Sequence, residues 1–62
     1  MTRATAERIA TELTAMGYEH DDDVVTEDLA EAAERAGFGW DADDDVAMAT
    51  LDLAAGIATG RA

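Results

Sequence analysis

The residues best equipped for chemistry in this chain are one histidine and a crowd of carboxylates. His20 directly precedes Asp21, Asp22 and Asp23. Neighbouring negative charge favours its protonated form, and a histidine beside carboxylates is half of a general acid–base arrangement. The other half is missing, because the chain has no cysteine, serine or lysine to act as nucleophile. A solvated histidine in an acidic loop is the expectation, with no catalytic residue and no enzymatic activity. The second constellation is Asp41, Asp43 and Asp45, with Asp52 twelfth in the window, spaced as in a calcium-binding loop. Such a loop needs glycine at its sixth position for the sharp turn, and Val46 stands there. Residues after Val46 follow helical spacing and cannot wrap an ion. These acids read instead as an over-supplied helix cap, where carboxylates meet exposed N–H groups and the positive end of the helix dipole. No dedicated metal site and no cofactor are expected, only loose cation binding by two acidic turns.

Length and composition narrow the function classes further. Sixty-two residues allow one small domain. Without cysteine, neither a disulfide scaffold nor a thiolate zinc site can form. Fifteen acids against four arginines give a net charge of -11, which excludes a conventional nucleic-acid binder, since so few cations neutralise few phosphates. No stretch has the roughly 18 apolar residues of a membrane span. Glu7 and Glu12 stand where a signal peptide has its apolar centre, so a cytoplasmic location is expected. The acidity has two readings. One is adaptation to a concentrated-salt cytoplasm, the halophilic pattern of abundant Asp and Ala with Arg as the sole cation, a pattern that a high-GC genome also produces. The other is a negative surface made for a basic partner. The readings differ because the Debye length falls from ~10 Å at 0.1 M salt to ~3 Å at 1 M, which removes most of the self-repulsion.

Periodicity predicts three helices, over residues 3–16, 24–36 and 44–58, and hence an all-α three-helix bundle in a single domain. In the first, Ala6, Ile9, Ala10, Leu13 and Met16 share one face. Thr2 or Thr5 is the candidate cap, and Gly17 the stop, with Tyr18 and Leu13 as the apolar pair of a Schellman ending. In the second, Val25, Leu29, Ala32, Ala33 and Ala36 form the stripe, Asp23 or Thr26 the cap and Gly37 the stop. The third has two apolar faces, one of Val46, Ala49, Thr50, Leu53 and Ile57, the other of Ala47, Leu51, Ala54 and Ala58. Asp52 is its only charge after Val46. A helix apolar nearly all round is buried on more than one side. Either it is the central helix of the bundle, or its spare face meets another chain, since domains this small gain stability by oligomerisation.

The same reasoning selects candidate contact residues. Tyr18, Phe38 and Trp40 are the aromatics, and all lie at turns. They either plug the bundle ends or, with Met16, form a partner-facing patch, because aromatics are favoured at interface hot spots. Leu51, Leu53 and Ile57 on the third helix complete the candidate partner-binding set. Asp21, Asp22, Asp23, Asp43, Asp44 and Asp45 form the candidate acidic surface. The leading functional expectation is a non-enzymatic protein–protein interaction or assembly module that binds a protein partner or self-associates through its third helix, without direct contact to nucleic acid or membrane. Two alternatives stand beside it: an acidic nucleic-acid mimic that inhibits a basic DNA-binding or nuclease partner, and a minor structural subunit of a larger particle that folds on assembly.

Two short resemblances bear on this. Met16-Gly17-Tyr18 after Ile9 and Leu13 looks like the Met-Gly-aromatic loop of the ubiquitin-associated domain, and Asp45-Val46 with Ala49 and Leu53 looks like the start of that domain's third helix. The resemblance implies a three-helix unit whose first loop and third-helix end hold an apolar patch of a ubiquitin fold. The intervening segment is about ten residues longer here, and Asp45 stands where the family has Asn. Leu29-Ala30 through Gly37-Phe38 resembles a helix-turn-helix, but the helix that would enter the major groove carries no basic residue.

Overall fold

A computed structural model describes residues 2–41 and 43–62, with the side chain of Thr2 outside the described set. It is a three-helix bundle: α1 (Thr2–Ala15), α2 (Thr26–Arg35) and α3 (Asp45–Thr59), with no strand among the described residues.

All three helices end in the same way. The N–H of Tyr18 donates to Leu13 O, that of Phe38 to Ala33 O, and that of Arg61 to Gly56 O, spanning Gly17, Gly37 and Gly60, each at positive φ. The inner bonds Gly17 N–H to Thr14 O and Gly37 N–H to Glu34 O complete the first two Schellman motifs. Helix starts differ more from expectation. Thr5 lies inside α1 rather than before it. Asp44 caps α3, its Oδ1 accepting from the N–H groups of Val46 at 2.9 Å and Ala47 at 3.3 Å. Neither Asp23 nor Thr26 caps α2. Val25 occupies the cap position in extended conformation, without a side-chain cap, so the helix begins two residues later than its apolar spacing suggests.

The core is small and alanine-rich. Ala6, Ile9 and Leu13 of α1, Ala32 and Ala33 of α2, and Leu51 and Ala54 of α3 form its buried centre. The first helix, and not the third, is central: α1 packs against both others, while α2 and α3 scarcely touch. Its fully buried Ile9 and Leu13 are the largest apolar side chains there. Opposite such bulk a neighbouring helix fits best through small residues, because interiors fill to crystal-like density only when large meets small. Accordingly α3 turns in Ala47, Thr50, Leu51 and Ala54. Thr50 and Thr59 are buried hydroxyls, satisfied by the carbonyls of Val46 and Ala55 one turn earlier.

The connections sit at opposite ends. The first loop adjoins the end of α3, where Asp21 N–H donates to Thr59 O at 3.0 Å and Arg61 donates to Asp21 O at 3.2 Å. The second connection and the start of α3 lie beside Thr5 of α1. Fifteen residues of α3 separate the two ends, about 22 Å at 1.5 Å per residue.

Candidate functional site

The predicted contact residues divide into three groups. Leu51 is only 2% exposed and belongs to the core, so it offers no surface to a partner. Leu51 shares its helical face with Ala47 and Ala54, and the rotation of α3 turns that face to the core. Leu53 and Ile57 lie on the neighbouring stripe. They are half-buried against the core edge, on the same helical face as exposed Ala49 and as Val46, which is 61% exposed. Val46 therefore stands outside the bundle, although its spacing suits either face. Val25, expected in the stripe of α2, is likewise 54% exposed.

The four turn residues Met16, Tyr18, Phe38 and Trp40 do not form one patch. All four are half-buried against the core. Tyr18 is tied to the start of α2 and Phe38 follows its end, so the ten residues of α2, about 15 Å, separate them. The Tyr18 hydroxyl donates to Asp28 Oδ2 at 2.6 Å and accepts from Val25 N–H at 3.0 Å. Asp28 is the third residue of α2 and Val25 its cap residue, so a tyrosine oxygen bridges the two groups that a capping box would join directly. The first loop adjoins the end of α3, and the polar end of Tyr18 is spent inside the fold. The bond to Asp28 raises the Tyr18 pKa, with the Val25 N–H opposing it more weakly. Sequence spacing gave no sign of this bridge, because its members are separated by an irregular loop.

His20 is largely exposed, with Nε2 3.6 Å from Asp21 Oδ1. Its ring lies over Gly60, where a Cβ would collide with it. Asp21 is the non-glycine residue at positive φ, 68°, among the described residues. Its backbone groups are held from both sides by Thr59 and Arg61. Arg61 also approaches Asp23 at 3.4 Å. Asp22 accepts from Glu19 N–H at 2.7 Å. The acids of this first cluster thus organise the loop and its contact with α3.

At the opposite end a depression of about 190 Å³ is lined by Thr5, Phe38, Gly39, Asp44, Val46, Ala47 and Thr50. Asp41 Oδ1 accepts from Asp43 N–H at 3.0 Å, and Asp44 is spent on its cap. Among the described residues no arginine or histidine lies within ion-pair distance of Asp41, Asp43, Asp44 or Asp45. No described helix is long and apolar enough to cross a membrane. Comparison of the chain with protein-family models, curated proteins and solved structures finds no match.

Proposed function

We propose that this protein is a non-catalytic interaction or assembly module whose contact surface is the outward stripe of α3. One observation carries the reading: α3 packs inward through its smaller face and leaves Val46 exposed, with Leu53 and Ile57 half-covered. Isolated apolar residues on a surface are ordinary, but Val46, Ala49, Leu53 and Ile57 follow one another along a single helical face. In a 62-residue domain, where apolar area is scarce, burying that stripe against another chain adds stability that the fold alone does not supply. Less supports the mimic. Its carboxylates should share one face, whereas the clusters 21–23 and 43–45 lie at opposite ends of α3.

Site-specific photo-crosslinking tests the proposal. A photoreactive residue at exposed Ala49 is expected to give discrete protein adducts in producing cells, while the same residue at exposed Thr11 of α1 does not. Adducts of equal yield from both positions, or none from Ala49, contradict it.

A further inference from the structure

The depression at the start of α3 has apolar walls in Phe38, Val46 and Ala47 and an open mouth. At about 190 Å³ it falls below the 300–1,000 Å³ usual for small-molecule sites, so its size suits one inserted side chain. Its charge surroundings decide what carries that side chain. Arg3 is paired with Glu7, Arg35 with Glu31, and Arg61 with Asp21 O and Asp23, while Arg8 donates to Ala36 O, two residues before Phe38, and is within ion-pair distance of none of Asp41, Asp43, Asp44 and Asp45. The groove at the other end, about 460 Å³, has Arg61 in its own wall beside Asp23 and Asp52. Of the two, only the Phe38–Val46 depression joins apolar walls to a lining carboxylate, Asp44, and to sequence-adjacent acids that pair with no described arginine. A second copy of the chain is a poor occupant, because both copies carry -11 and an acidic rim gains nothing from an equally acidic partner.

We propose that the depression between Phe38 and Val46 receives a large apolar side chain from a partner-protein segment flanked by lysine or arginine. This rests on the interaction reading above and names the partner's chemistry. The flanking cations face Asp41, Asp43 and Asp45, which speed encounter, while the apolar anchor fixes position.

The probe is a synthetic amphipathic helix of leucine and lysine, titrated calorimetrically at ~0.15 M KCl, where screening leaves only short-range attraction. A leucine–glutamate counterpart serves as control. Binding of the lysine peptide alone is expected. Val46→Ser and the pair Asp43→Asn/Asp45→Asn are each expected to weaken it about tenfold. The pair Asp22→Asn/Asp23→Asn, an equal charge change at the far end, is expected to weaken it less than about twofold. Circular dichroism checks that each variant stays helical, and Val46→Thr, nearly isosteric, is expected to lose less than Val46→Ser. Equal losses from both aspartate pairs, no loss from Val46→Ser, or no binding at all overturns the proposal. If Ala49 crosslinks to a protein but the peptide fails, the interaction reading stands and this inference falls. If neither occurs, both fall.

Discussion

The Tyr18 hydroxyl donates to Asp28 at 2.6 Å while accepting from Val25 N–H at 3.0 Å, so one oxygen ties the end of α1 to the start of α2. Tyr18→Phe removes both bonds and leaves the cap position of α2 without a partner from the side chain. A lower thermal midpoint and earlier fraying of α2 amides in hydrogen exchange are expected. The pH dependence has a definite sign. The Tyr18 pKa is raised, first by its bond to Asp28, so the folded state favours the neutral phenol. Its contribution is fully present below the unfolded pKa of about 10 and is lost as pH rises through the higher folded value. Tyr18 is the only tyrosine, so the tyrosinate absorbance reports it directly. Titration at or below the ordinary tyrosine value contradicts the bridge.

Gly60 and Gly37 share a φ of 77°, but only Gly60 faces a neighbour, the His20 ring. Gly37→Ala pays backbone strain alone, about 1–2 kcal/mol. Gly60→Ala pays that strain plus displacement of the ring. It should therefore cost more in urea denaturation, and the two should converge in a His20→Ala background. Strict additivity of Gly60→Ala with His20→Ala contradicts the contact.

Burial separates the two leucines of α3 from its first valine. Leu51→Ala is expected to cost about 2–5 kcal/mol, enough to unfold much of a domain this small. Val46→Ser, on the exposed stripe, should stay within about 0.5 kcal/mol. Leu53→Ala should fall between them. Denaturant midpoints at one salt concentration check the order Leu51, Leu53, Val46.

Three arginine–carboxylate pairs among the described residues, all on exposed side chains, do little to offset the chain's net charge of -11. Self-repulsion is long-range and is therefore screened by salt. Raising KCl from ~0.1 M to ~1 M should raise the thermal midpoint, with helical circular dichroism gained at fixed temperature. A midpoint unchanged across that range contradicts repulsion as a significant term. Full helicity already at ~0.1 M would direct attention to a partner as the reason for the acidity.

How much of this was readable in the residues varied by element. The stripe Ala6, Ile9, Ala10, Leu13 of α1 carries a single period, and all four are buried. The helix ends at Gly17 and Gly37 were legible because a C-terminal turn at positive φ favours glycine. The rotation of α3 was not legible. Both of its faces are apolar and helical in period, and the choice is made by Ile9 and Leu13 on a helix over thirty residues away, which leave room for alanines. The central position of α1 is a tertiary fact of the same kind. The start of α2 was misplaced because Val24 and Val25 continue its apolar pattern, while the Tyr18 hydroxyl holds Val25 extended. Of the candidate site, Leu53 and Ile57 could be found from sequence. Val46 could not be told from a core residue, and the Phe38–Val46 depression needs the fold to bring its walls together.

The orientation of α3 is the claim on which the functional reading depends, and solvent paramagnetic relaxation of methyl signals measures it most directly. With a soluble nitroxide, the Val46 methyls should broaden strongly, Leu53 and Ile57 partially, and Leu51, Ile9 and Leu13 hardly at all. Protected Val46 and Leu53 methyls beside a broadened Leu51 would mean that α3 is rotated, and the outward apolar stripe would not exist.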